Sequence, residues 1–392
     1  MGLRQVWREP LMTNTMKAEL CTTVVCHECS NHVHLPALKP RQKALCPRCG
    51  FVLTKHTKDS FQKLMAFAIS AFIFLALSMP FKFLGFSASG QEQSIGIISG
   101  LNVLVEQDYL FLAIIQMLSI VILPAIVLVG LIAVVIPIQL NKEVPYAKRT
   151  LDLVYALIPW SMAEIFLIGV LVSLIKISSM ADITMGLSFY AYIGFTLCMS
   201  ATVLYTDKHQ LYLSATKEHH SSHPLNRSQS IQRTWALLIT SIILYIPANL
   251  LPIMNTRFLG ANEPSTILGG VLLLWESGSY PIALIIFIAS VIVPIGKLVI
   301  LIWLNYTVQN GMDKKHSERI FWYRVTEFIG RWSMVDVFVV AILVSLIQLG
   351  NTMTILPGPA SIAFCGVVIL TMLAAMTFDT RLIWTDTAVK HE

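Results

Sequence analysis

"PWSMAEIFLIGVLVSLIK", residues 159–176, returns 172 positions later as "RWSMVDVFVVAILVSLIQ", residues 331–348. Trp160, Ser161, Met162 and Glu164 of the first copy correspond to Trp332, Ser333, Met334 and Asp336 of the second. Pro80 matches Pro252 at the same offset, and Glu106 matches Glu276 and Pro124 matches Pro294 at 170. Shared apolar character can imitate part of such a match. It cannot supply the tryptophan–serine–methionine string or the prolines. The chain reads as a duplication.

The duplicated unit belongs in a membrane. The 392 residues are 55% hydrophobic and 13% charged, against about 25% charged in soluble domains. Mean hydropathy is +0.69. Apolar runs near 64–84, 110–136, 152–177, 184–206, 234–254, 281–304, 323–348 and 360–378 have the length that crosses a hydrocarbon core, about 20 residues. This composition argues against a soluble enzyme. Residues 1–60 are polar and mixed, so the first apolar run is expected to remain as a membrane helix rather than act as a signal peptide.

Each half then holds four spans, an even number, and the second half enters with the orientation of the first. The fold expected is an all-α polytopic membrane protein. It comprises two tandem parallel four-helix transmembrane repeats behind an N-terminal four-cysteine zinc ribbon. The boundaries expected are a tail over 1–20, the ribbon over 21–58, repeats over 59–206 and 233–380, a polar linker over 207–232, and a tail over 381–392. Ten of the 28 Lys and Arg residues lie in the first 63 positions, and others follow spans two, four and six. The alternate loops carry little beyond Lys82, Lys176 and Arg257. That bias places both termini in the cytoplasm. Scattered in this way, the net charge of +6 does not call for nucleic acid.

Cys26 and Cys29 form one pair two residues apart, Cys46 and Cys49 another, and sixteen residues separate the pairs. Two tight turns supplying two thiolates each make a closed tetrahedral shell, which suits one structural zinc ion. A soft all-sulfur set also suits iron, and redox-active cysteine pairs are the competing reading. His27, His32 and His34 read as decoration of the ribbon, and Cys21 as a spare thiol. A catalytic zinc would keep an open position. Four cysteines close it.

Glu164, Asp336 and Lys297 fall inside apolar runs, where ionisable groups face a bundle interior, a cavity or each other. They read either as a polar network tying the halves together or as the wall, gate or proton-coupled switch of a transport path. Lys176 and Arg331 lie nearer span ends and can snorkel. "YIPANLLPIMN", residues 245–255, flanks Asn249 with two prolines and predicts a broken helix. "LLLWESGSYP", residues 272–281, places Glu276 beside Gly278, in a re-entrant turn or a plain helix-end turn. No phosphate-binding loop, zinc-protease or nucleophile-elbow motif is present.

The duplicated W-S-M-[AV]-[ED]-[IV]-F string, the ribbon, "LYIPANLLPIMNTRFLG" (244–260), "EPSTILGGVLLLWESGSYPIA" (263–283) and "AAMTFDTRLIW" (374–384) together resemble the paraquat-inducible protein A family. The resemblance runs from about Cys26 to Trp384. It implies a non-enzymatic bacterial inner-membrane protein, working beside a periplasmic MCE-domain protein whose tube carries phospholipid between membranes. Carried onto this chain, it points to Glu164, Lys176, Asn249, Glu276, Lys297, Arg331 and Asp336 as cavity or coupling residues. A structural anchor for the partner, and redox chemistry or export of small toxic compounds, are the alternatives. One feature departs from the family. Where members of the family often carry a second four-cysteine ribbon, this chain reads "DKHQLYLSATKEHHSSHPLNRSQS", residues 207–230, without cysteine. Its histidines have the setting of a polar linker, not of a closed metal site. Replacing His219, His220 and His223 together with serine is expected to leave the metal content of the purified protein unchanged. Loss of a bound ion, by elemental analysis, would show that histidines have replaced the missing thiolates.

Overall fold

A computed structural model describes residues 22–35, 42–55, 59–88, 91–140, 142, 145–177, 182–216, 226–258, 261–276, 278, 280–312, 316–346 and 353–384. Cys21 and the linker histidines 219, 220 and 223 lie outside them. Two small antiparallel hairpins come first: β1 (Thr22–Val25) with β2 (His32–Leu35), and β3 (Lys43–Leu45) with β4 (Val52–Lys55). Each turn carries one cysteine pair.

Helix α1 (Ser60–Leu77) stops before Ser78 and Pro80 rather than running through them. Strands β5 (Leu84–Ala88) and β6 (Gln91–Ile95) and the short helix α2 (Ile97–Glu106) follow. A long helix α3 (Leu110–Gln139) comes next, then α4 (Ala147–Leu157), α5 (Ala163–Ile177), strand β7 (Asp182–Met185) and α6 (Leu187–Tyr205). After α7 (Lys208–Thr216) the same order of elements recurs. It comprises α8 (Arg227–Leu250), β8 (Met254–Phe258), β9 (Ala261–Ser265), α9 (Ile267–Glu276), α10 (Tyr280–Gln309), α11 (His316–Trp332), α12 (Val335–Leu346), β10 (Met353–Pro357) and α13 (Pro359–Thr377). Among the described residues, eight helical segments are long and apolar enough to cross a membrane.

Three local features depart from the sequence reading. The apolar runs near 152–177 and 323–348 are each two helices, parted at Ser161–Met162 and at Ser333–Met334. Helix α8 runs through Pro247 and ends at Leu250, so the second proline of its pair sets the end and the first does not break the helix. Residues 208–216, read as polar linker, form α7, with Leu211 and Tyr212 buried. Asp207 accepts from the Gln210 backbone N–H at 3.2 Å, an N-terminal cap. Pro124 and Pro294 do not break α3 and α10 either. Five-residue π-helical turns, Leu118–Ile122 and Ile288–Ile292, precede them. A proline without an N–H leaves the carbonyl four residues earlier unbonded. In α3 that carbonyl, Ile120, accepts from the Tyr192 hydroxyl at 3.5 Å.

At the helix ends away from the cysteine hairpins, two three-stranded antiparallel sheets close the loops, in the orders β6–β5–β7 and β9–β8–β10. Their strands are short, and β6 (QEQSI) and β9 (ANEPS) are polar, which hid them from a search for apolar runs. Each sheet ends in the same close approach. Gly186 donates to the Phe83 carbonyl at 3.1 Å, and Ser188 to Lys82 at 3.3 Å. In the second half Gly358 donates to Ile253 at 2.8 Å, and Ala360 to Pro252 at 3.2 Å. A Cβ on Gly358 would lie 2.0 Å from the Pro252 carbonyl oxygen, and one on Gly186 1.9 Å from that of Lys82. Backbone blocks both positions, so only glycine fits. G186A and G358A are each expected to destabilise by about 1–3 kcal/mol, read as a lower midpoint of thermal unfolding in detergent. G270A is the control, since nothing stands within 4 Å of its added methyl.

Candidate metal centre and membrane polar groups

The two cysteine turns are built alike. Cys26 N–H donates to Asn31 at 2.9 Å and Ser30 N–H to Cys26 at 2.9 Å; Cys46 donates to Phe51 at 2.8 Å and Gly50 to Cys46 at 2.9 Å. Ser30 and Gly50 both take the left-handed backbone region, which tightens each turn around its pair. The turns face each other. All four sulfur atoms are buried and lie within 4.8 Å of one another, with Cys26–Cys49 and Cys29–Cys46 each at 3.5 Å. A tetrahedral centre with metal–sulfur bonds of about 2.3 Å sets its sulfurs about 3.8 Å apart, close to this spacing. A disulfide needs about 2.05 Å. The cluster is therefore arranged to hold a metal ion, and among the described residues no histidine joins it.

Burial pushes the Cys29 thiol far above its ordinary range and Cys49 up to about 12. Burial acts on Cys46 too, but backbone N–H groups of Cys49 and Arg48 outweigh it and lower that thiol. Without a core of their own, the hairpins rest on the helices. The cysteines pack with Ile320 and Tyr323 of α11 and with Phe378, Leu382 and Trp384 beyond α13. The Arg48 guanidinium lies 4.8 Å from the centre of the Trp384 ring.

The polar residues singled out within the apolar runs are spread over several contacts. Glu164, in the first turn of α5, accepts from Ser200 of α6 at 2.6 Å and is exposed. Asp336, in the first turn of α12, accepts from Ser290 in the π turn of α10. The Lys297 ammonium, 2% exposed, donates to the Gly330 carbonyl at 3.5 Å. Arg331 follows Gly330 in the last turn of α11. Lys297 and Asp336 thus flank one helix break from its two sides. Asn249 donates within its own helix, to Tyr245 at 2.9 Å. Glu276 ends α9 in an exposed position, and Gly278, at φ 78°, closes a plain helix-end turn onto Trp275. Lys176 lies in the last turn of α5, its side chain outside the described set. Among the described residues, the hydrogen bonds of Glu164, Asn249, Lys297 and Asp336 go to different partners. Two clefts of about 290 and 650 Å³ lie elsewhere, one beside His27 and residues 376–381, the other among Asp59, Ser60, Gln139 and Gln210.

Arg324, Asp207 and Trp384 are not among the residues that the sequence singles out, yet they seat the hairpins. Spacing carries no signal for such contacts; the Asp207–Gln210 cap did.

The family model described as "Paraquat-inducible protein A" matches this chain twice, over residues 61–215 and 231–388. The chain belongs to the paraquat-inducible protein A family. It is 37% identical to "Intermembrane transport protein PqiA" of Escherichia coli (strain K12), covering 92% of this chain and 95% of that protein. It is 28% identical to the "Probable intermembrane transport protein" of Haemophilus influenzae, with 92% and 95% covered. To "Lipophilic envelope-spanning tunnel protein A" of Escherichia coli it is 26% identical, with 92% and 90% covered. No solved structure matches significantly.

One metal ion per chain is the expected result of elemental analysis, and C29S or C46S should abolish it. Ligation needs thiolates, and Cys29 and Cys49 hold their protons to high pH, so binding releases protons. Affinity for the metal should accordingly fall as pH falls, measured by competition with a chelator.

Proposed function

We propose that the protein is the inner-membrane component of an intermembrane phospholipid transport system, passing lipid to or from a periplasmic MCE-domain tube. The observation that carries this reading is similarity over nine-tenths of the chain to a protein named for intermembrane transport. The role is not catalytic. Two tandem parallel repeats, 59–206 and 233–380, cross the bilayer four times each, with both termini and the cysteine hairpins cytoplasmic. The doubled family match and the recurring order of elements support the repeat, and the loop charges support the orientation. The two sheets then face the periplasm, where the tube must meet the membrane.

The four cysteines hold one structural zinc ion. A closed four-thiolate shell leaves no position for substrate and folds a segment too small to fold alone. Glu164, Lys176, Asn249, Glu276, Lys297, Arg331 and Asp336 are the residues assigned to the lipid path or its coupling. Among them Lys297 and Asp336 have the strongest support, being partly or wholly buried at one helix break. Without a nucleotide-binding motif, net direction comes from a lipid gradient, proton movement or the partner.

One observation favours a second reading. The seam between α5 and α12 is filled by side chains, with Val337, Phe338, Val339, Val340, Ala341 and Ile342 all buried. A filled seam suits a membrane anchor for the tube, or a transporter whose path opens only in another state. Reconstitution with the MCE partner separates them. Labelled phospholipid should pass from the inner leaflet into the tube, several-fold more slowly with D336N or E164Q. Equal transfer without the protein would leave only the anchor.

A further inference from the structure

The cysteine hairpins precede both segments that match the family model, yet they are bonded to both. On one side stands α11, in the second matched segment. The Arg324 guanidinium reaches the Glu28 carboxylate, through Nε at 3.1 Å and also through Nη2. The same Nη2 donates to the backbone carbonyl of Cys49 at 3.0 Å. Arg48 does the equivalent for the other turn, donating to the Cys29 carbonyl and to the Trp384 carbonyl, both at 3.4 Å. One guanidinium therefore sits on the last cysteine of each turn.

On the other side stands α7, in the first matched segment. Asp207 accepts from the Thr54 hydroxyl at 2.9 Å and from the Lys55 backbone N–H at 2.8 Å. Gln210 donates to the Lys55 carbonyl at 3.0 Å. Strand β4 thus runs from a metal-binding turn held by α11 directly to an anchor on α7.

We propose that Arg324 holds the loaded metal centre from outside its ligand set, and that the loaded centre thereby clamps α11 to α7 across the two halves. This rests on the reading that the four cysteines bind a divalent metal. Four thiolates around such an ion carry a net charge of −2. Glu28, only 13% exposed at its side chain, stands beside that charge and adds to it. Arg324 stands against both, and its planar fork holds Glu28 and the Cys49 carbonyl in a fixed geometry that a freely rotating ammonium does not supply. Groups that orient ligands in this way change metal affinity by about 10–100-fold when removed. An empty site has neither the negative charge nor the fixed turn geometry. Arg324 then keeps only an ion pair with a side chain on a loosened loop, and β4 no longer links the two helices firmly.

The test uses the full-length protein in detergent, beginning with metal content. The chase of bound metal into a chromogenic chelator is followed for wild type, R324Q, R324K and E28Q. R324Q should release metal at least about tenfold faster, R324K at an intermediate rate, and E28Q no faster than wild type. If release from R324Q equals that of wild type, or if E28Q releases as fast as R324Q, the electrostatic role of Arg324 is wrong. Hydrogen exchange of the wild type before and after chelation reads the clamp itself. Amides of residues 207–216 and 316–324 should lose protection once the metal is gone, whereas the distant sheet around Met254–Ser265 should not. Unchanged protection at both helices would overturn the clamp even with metal bound normally. Wild-type protein without any metal would instead overturn the metal reading and this inference with it.

Discussion

Gly169 on α5 lies so close to α12 that an added Cβ would stand 3.1 Å from the Cβ of Phe338. On this contact the joining of the halves depends. Between helices in hydrocarbon there is no gain from leaving water, so association rests on close packing and small residues. Phe338 fills the space beside Gly169 and meets Phe166 edge-on at 5.7 Å. From Phe166 the rings continue through Tyr192 to Phe195 and Phe83, each pair within 6.0 Å and each ring buried. One side chain of the second half thus enters the aromatic core of the first. Two hydrogen bonds extend the junction toward the sheets. Ser345 of α12 donates to the Gly100 carbonyl of α2 at 2.9 Å, and Tyr109 donates to the Pro357 carbonyl.

The two helices that meet here are the two that begin after the tryptophan–serine–methionine strings, and those strings mark helix breaks. A break inside a membrane exposes backbone groups that protein must satisfy. In the first half Met162 N–H donates to the Ser119 carbonyl at 3.2 Å, in the π turn of α3. In the second half Lys297 takes the Gly330 carbonyl at the end of α11, where a cation also suits the helix dipole. Glu164 and Asp336 occupy the first turns of the next helices, where a carboxylate suits the opposite pole. The halves are not equivalent. At the offset relating Pro124 to Pro294, the position of Lys297 corresponds to Val127, fully buried. The charged, buried break belongs to the second half alone.

Why the sequence disclosed some of this and not the rest follows from which forces act locally. The eight crossings were legible because hydrocarbon thickness fixes their length. The four-cysteine cluster was legible because each turn brings its own pair together. The breaks at Ser161 and Ser333 were not, since hydropathy continues across them. Yet the acid two residues after each methionine was a helix-start signal, read only as intramembrane charge. The sheets were missed because β6 "QEQSI" and β9 "ANEPS" are polar and paired by backbone bonds, to which side-chain patterns are blind. The pairing of Glu164 with Ser200 and of Asp336 with Ser290 lay beyond reach, because equivalent residues in a duplication take different partners once their neighbours diverge.

The segment between the halves has its own local structure. The first part of segment 207–230 is α7, a helix. Leu211 and Tyr212 of α7 are buried, Tyr212 donates to Asp152 of α4, and Tyr212 stacks against Tyr155 at 6.1 Å. The helix is thus fixed to the first half by packing. Its capping residue, Asp207, spends one carboxylate oxygen on Gln210 and the other on β4. The hairpin pair with its cysteine cluster touches the first half through α7, which meets the end of β4. The hairpins are thus bonded on one side to α7 of the first half and on the other to α11 of the second, at this end of the bundle.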